Sequence, residues 1–183
     1  MMSGFPQTPY FTGLNAPVGQ DVELRGLEVE GTIPQEVRGA FFRAVPDPAY
    51  PPKYDNDHTL SGDGMVSRLA FNADGSVDYA IRFVDTARHL AEKELGRARF
   101  GKYRNPFTDD PDMAGVDRTV ANTTPVWHAG RLLMAKEDGL PYRVDPQTLE
   151  TLGRYDFGGK LKSETMTAHV RVEDMTSGEA LFE

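Results

Sequence analysis

"SGDGMVSRLAFNADGSVDYAIRFVDT" occupies residues 61–86, and its pattern decides the fold class. Two runs, 65–71 and 77–84, alternate apolar and polar side chains. That period of two belongs to strands with two distinct faces. Between them lies "NADGS", and Asp74-Gly75 is a strong signal for a tight hairpin turn. The stretch therefore predicts an antiparallel hairpin. The preceding "SGDGM" reads as a structural turn, with Gly62 and Gly64 supplying backbone conformations that other residues avoid. Asp63 then stabilises the turn and does no chemistry.

Working outward, "VELRGLEVEGTIP" (22–34) alternates in the same way and predicts one or two short strands ending at Pro34. Residues 40–45 predict another strand, followed by a long loop rich in Pro, Asp and Asn. On the C-terminal side, "ARHLAEKELGRARF" (87–100) is dominated by Ala, Leu, Glu, Lys and Arg and predicts the chain's one convincing helix, fraying near Gly101. Strands are then predicted near 118–127, 131–136, 141–144 and 149–157. "HAG", "EDGL" and "DPQT" separate them with turn chemistry. Many short strands at ~8–12-residue spacing predict an all-β sandwich, barrel or propeller with one helix and long loops. Residues 1–20, rich in Gly, Pro, Asn and Gln, read as an irregular arm, and residues 21–183 as the folded body.

Composition narrows the chemistry. The chain has 183 residues, 39% of them hydrophobic and 26% charged, as expected of a globular domain. It contains no cysteine. Disulfides, thiolate catalysis and cysteine-held zinc or iron–sulfur clusters are therefore excluded. The formal net charge of −8, with acidic and basic residues interspersed, argues against a nucleic-acid partner. No apolar run reaches the ~20 residues of a membrane span. The opening residues lack a basic region followed by an apolar one, which sets the expectation of a cytoplasmic protein.

Generic motifs fail on inspection. "GDGMVS" lacks the third glycine of a dinucleotide loop. "DNDHTLSGDGM" puts Leu60 where a calcium loop needs glycine. Four histidines remain, His58, His89, His128 and His169, and no two have a local ligand spacing. His89 reads as solvated on the helix beside Arg88. His128 reads as part of a hairpin turn, and His58 as a structural hydrogen-bonding residue. His169, after the small residues of "TMTA", is the best placed for a ligand to approach.

Taken in order, "GTIPQEVRGAFFRAVPDP", "SGDGMVSRLAFNADGSVDYAIRFVDT", "ANTTPVWHAGRLLMAKEDGLPYRVDPQTLETLGRYDF" and "TAH" resemble the N-terminal portion of the carotenoid cleavage oxygenases, the lignostilbene dioxygenase branch in particular. The resemblance runs over about residues 26–183. It implies a partial seven-bladed β-propeller comprising the N-terminal blades, and oxidative cleavage by O₂ of a carbon–carbon double bond of a phenolic stilbene-like or a carotenoid or apocarotenoid substrate to two carbonyl products. It implies a non-haem Fe(II) cofactor held by four histidines. His169, in "TAH", matches the first, and the other three belong to later parts of the family's chain. Tyr103, in "GKYRNPF", and Lys136, in "LLMAKEDG", match the pair that contacts and ionises the substrate phenol. Glu137 matches a glutamate that orients a metal-ligating histidine. The implied partners are O₂ and a phenolic or otherwise apolar alkene, with a homodimer for the full-length relative. One alternative is carried forward: a catalytically inactive N-terminal fragment without three of the four iron ligands. The sequence departs from the family pattern at Val170, where proline is usual, and at Thr59-Leu60-Ser61, where an aromatic residue is common.

Overall fold

The structure, a computed structural model, describes residues 4–172. The end of the closing stretch "VRVEDMTSGEALFE", from residue 173 onward, lies outside the described residues. Eight strands form two antiparallel four-stranded sheets, with one α-helix between them in the chain. The first sheet contains β1 (Val22–Leu24), β2 (Gly39–Pro46), β3 (Gly64–Phe71) and β4 (Val77–Phe83) in the order β1-β4-β3-β2. The second contains β5 (Thr124–His128), β6 (Arg131–Ala135), β7 (Tyr142–Val144) and β8 (Thr151–Arg154) as a simple meander. Among the described residues neither sheet closes into a barrel.

The predicted hairpin is β3–β4, with Phe71 paired to Val77 across the turn. Gly75 takes φ +87°, and the Asp74 carboxylate accepts from the Ser76 backbone N–H at 2.9 Å. These are the conformational and hydrogen-bonding roles the dipeptide is suited to. A second tight turn joins β5 to β6, where Ala129 and Gly130 both have positive φ, as a type I′ turn requires. His128 closes β5 at this turn, as expected.

The strand period sorts side chains into two layers. Val66 of β3 and Phe42, Ala44 and Ala80 of its neighbours join Leu132, Met134, Tyr142 and Val144 of the second sheet in a core between the sheets. The alternate residues Met65, Ile81 and Phe83 pack with Ala49, Val45 and Tyr50 on the far side. The first sheet thus carries apolar side chains on both faces and is covered on both. Two edge strands, β2 of the first sheet and β5 of the second, approach one another. Within the arm, Phe5 and Phe11 are buried, and the Asp47 carboxylate accepts from the N–H groups of Val18 and Gly19 at 2.8 and 2.7 Å.

Three expectations are corrected. The helix α1 spans Ala87–Leu95 and stops well before residue 100, because Gly96 adopts the left-handed conformation that terminates helices. Thr86 caps its start by accepting from the His89 N–H. β1 is only Val22–Leu24, since Gly26 turns left-handed directly after it. Residues 118–123 are not strand. Ala121 has φ +48°, so the ladder of the second sheet begins at Thr124.

Candidate active site

The loop after β6 and the loop after α1 bring together three of the four residues that the sequence singled out. Lys136 directly follows β6 and is only 4% exposed. Its Nζ lies 4.6 Å from the centre of the Tyr103 ring, a cation–π arrangement. The Tyr103 hydroxyl donates to the Glu137 carboxylate. A lysine at a strand end is ordinarily solvated, and here it is enclosed. Burial, with a further push from Arg88, lowers the Lys136 pKa from its usual range, against the opposing charge of Asp138.

Tyr103 is positioned by a stapled loop. Asp109 accepts from both Nε and Nη2 of Arg118 at 2.6 and 2.9 Å and from the Gly101 N–H at 2.8 Å. Lys53 donates to Asp110 at 2.6 Å, and Arg97 pairs with the same carboxylate at 2.8 Å. Held this way, a loop with little regular structure presents one aromatic ring in a fixed place.

Sequence reasoning missed Asn122. It is buried, and its Oδ1 accepts from Lys136 Nζ at 3.1 Å. Its Nδ2 donates to the carbonyls of Leu60 and Gly62 at 3.1 and 2.8 Å. The available signal was an amide side chain in the otherwise small and β-branched "VANTTP". The same contact explains "SGDGM" and corrects its reading. Gly62 has φ −68°, and neither it nor Gly64 is left-handed. These positions need glycine because the chain passes too close for a side chain. A Cβ on Gly64 would lie 2.2 Å from the Val120 carbonyl oxygen, and one on Gly62 would lie 2.9 Å from the Pro48 nitrogen.

Beneath this cluster lies a buried charged layer. His89 is buried, not solvated as its helical position suggested. It stacks on Phe83 with ring centres 4.8 Å apart and places Nδ1 3.3 Å from Asp63 Oδ1. Burial alone would raise the Asp63 carboxyl. The His89 ring and the Arg88 guanidinium outweigh it and hold the pKa below the usual carboxylate range. Asp63 also accepts from the Ala49 N–H, so its side chain ties the segment after β2 to α1 and not the turn in which it sits. Glu92 accepts from the Arg99 and Phe100 N–H groups, while burial keeps its pKa raised despite the Arg88 charge.

His169 is exposed, and its backbone N–H donates to Thr167 Oγ1 at 3.3 Å. Its segment is tied to the loop after β6 by the Met166 N–H, which donates to the Gly139 carbonyl at 3.1 Å. No hydrogen bond or ion pair joins His169 to Tyr103, Lys136 or Glu137 among the described residues. No three His, Asp or Glu side chains converge there on a metal-binding arrangement. His58 sits edge-on to Tyr10, with ring centres 6.3 Å apart. No helix among the described residues is long and apolar enough to cross a membrane.

Comparison with known proteins adds to this geometry. The family described as retinal pigment epithelial membrane protein matches residues 15–182. Isoeugenol monooxygenase of Pseudomonas putida is 47% identical over 175 residues, covering 95% of this chain and 36% of the relative. Lignostilbene-alpha,beta-dioxygenase isozyme III of Sphingomonas paucimobilis is 42% identical, covering 96% and 36%. The crystal structure of Pseudomonas brassicacearum lignostilbene dioxygenase superposes with a TM-score of 0.88 at 46% identity, over 92% of this chain and 35% of that one. The chain spans about a third of the length of the relatives it matches.

Proposed function

The chain belongs to the carotenoid oxygenase family, that of the retinal pigment epithelial membrane protein, and from this membership we infer that the whole protein is an oxygenase that uses O₂ to cleave the double bond of a phenolic, stilbene-like substrate into two carbonyl products. The two sheets are read as neighbouring blades of a seven-bladed propeller. Residues 21–183 form its N-terminal part and residues 1–20 an arm. The approach of β2 and β5, an edge strand of each sheet, supports this, since propeller blades converge on an axis. A homodimer and a cytoplasmic location belong to the same reading.

One observation carries the substrate class: a lysine 4% exposed, with its ammonium against an aromatic ring. Lys136 donates to the phenol oxygen and favours the phenolate, because a nearby positive charge stabilises the ionised form. Tyr103 donates its hydrogen bond to Glu137, so its oxygen accepts from the arriving phenol, and as the phenolate forms the phenol proton passes to Tyr103 while the Tyr103 proton passes to Glu137. The phenolate then pushes electron density towards the alkene. Non-haem iron, when bound in such an enzyme, supplies the activation of O₂. The described residues do not by themselves form that site. His169 is read as one of its four imidazoles, and Glu137 as a carboxylate that also orients another. A second reading is that the 183-residue chain alone has no oxygenase activity; it rests on the resemblance, which matches only His169 to one of the four iron ligands.

The test compares 4-hydroxystilbene with 4-methoxystilbene. A charge-assisted hydrogen bond contributes about 1.5–3 kcal/mol, so Lys136→Met should weaken binding of the phenol roughly tenfold or more. Binding of the methyl ether should hardly change. An equal loss for both ligands, or none for the phenol, rejects the phenol-binding role.

A further inference from the structure

Asn122 makes a set of contacts that leaves its amide one orientation. Its two N–H groups face the carbonyls of Leu60 and Gly62, which can only accept. Its oxygen faces the Lys136 ammonium, which can only donate, and also accepts from Thr123 Oγ1 at 3.2 Å. Reversing the amide would set donors against an ammonium and an acceptor against two acceptors. The two carbonyls belong to the turn whose glycines allow this close approach, so the amide is anchored to backbone on one side and holds the ammonium on the other.

The chemistry of the amide matters as much as its position. An ammonium has three N–H donors, and among the described residues Asn122 takes one. No other hydrogen-bond acceptor among the described residues takes the remaining donors, and the ammonium faces the Tyr103 ring. A carboxylate at position 122 would hold Lys136 more strongly, but it would cancel the positive charge and repel an arriving phenolate. A neutral acceptor directs the ammonium and leaves its charge unspent. The other charged groups facing Lys136 are Asp138, which favours its charged form, and Arg88, which opposes it. Glu137 lies beyond the Tyr103 hydroxyl.

We propose that Asn122 is the positioning residue of this site: its amide, fixed by the Leu60 and Gly62 carbonyls, aims the Lys136 ammonium across the Tyr103 ring at a phenol oxygen without neutralising it. The proposal rests on the phenol-binding reading of Lys136, and its test separates the two. In the full 183-residue chain, the Lys136 amine is titrated by ¹³C NMR at Cε without any ligand. Asn122→Asp should raise its midpoint by about 1–3 units. Asn122→Ala, which removes an acceptor for the charged form, should lower it. Binding of 4-hydroxystilbene is then followed by the red shift of phenol ionisation. The wild-type chain should ionise the bound phenol at lower pH than free phenol. Asn122→Asp, Asn122→Ala and Lys136→Met should each return that midpoint towards the free value.

An unchanged Lys136 titration in a folded Asn122 variant overturns the positioning role, whatever the ligand does. Should the Asp variant unfold, as judged by circular dichroism, the Ala variant decides by the same criterion. If Lys136→Met leaves the ionisation of bound phenol unmoved, or the wild-type chain binds no phenol, the phenol reading fails. The Lys136 titration still decides the role of Asn122 in that case.

Discussion

Lys136 and Asp110 show how differently one charge behaves in two settings. Lys136 is enclosed, so its charged form is disfavoured and depends on a neutral amide for direction. Asp110 sits in a cluster of cations, and hydrogen bonds from Lys53 and Arg97 hold its pKa at about 2, against an ordinary 3.8. An acid whose folded pKa is depressed binds fewer protons folded than unfolded. Its stabilising effect is therefore complete above the unfolded value and disappears as pH falls towards the folded one. Asp110→Asn should accordingly lower the melting temperature at pH 6, and the gap from wild type should close between about pH 4 and pH 2. Melts followed by circular dichroism at several pH values check this. A gap that stays constant down to pH 2 would show that the cluster contributes through packing alone.

The elements follow local rules wherever the rule is backbone chemistry. The β3–β4 hairpin forms where alternation and Asp74-Gly75 place it, and α1 starts at the Thr86 cap. Its end was misjudged because Ala98 to Phe100 keep a helical composition beyond Gly96, and a single left-handed residue outweighs that propensity. The most sensitive join between elements is the contact of Gly64, at the start of β3, with the 120–121 backbone. A methyl there would have to displace two carbonyl oxygens that it would meet at 2.2 and 2.5 Å. Gly64→Ala should lower stability by about 1–3 kcal/mol or more, as overpacking does. It should also disturb the Lys136 amine titration, because Asn122, which accepts from Lys136, directly follows that backbone. A urea unfolding midpoint equal to wild type would refute the close-approach account.

At the scale of the whole molecule, the two sheets enclose a continuous apolar layer, while the polar cluster gathers at the loops beside it. Three candidate residues meet there, and His169 does not join them. Since the resemblance matches only His169 to one of the four iron ligands, the 183-residue chain should bind no stoichiometric Fe(II) in an anaerobic equilibrium titration. Tight one-to-one uptake would mean that the chain assembles a site that the described residues do not present.

The sequence by itself determined the class of the fold, the β3–β4 hairpin, the turns of the second sheet and the identity of Tyr103, Lys136 and Glu137 as residues to watch. These rest on local periodicity, on turn chemistry and on the resemblance to the lignostilbene dioxygenase branch, all readable along the chain. Tertiary structure decided what no linear reading could. It buried His89, which local pattern placed in solvent, and enclosed Lys136 at a strand end, because burial depends on what packs against a residue from elsewhere in the chain. It assigned Gly62 and Gly64 to close approach instead of backbone freedom. It also joined Asn122 to Lys136 and to a turn 60 residues away, since an amide's three hydrogen bonds to distant partners leave no trace in composition or spacing.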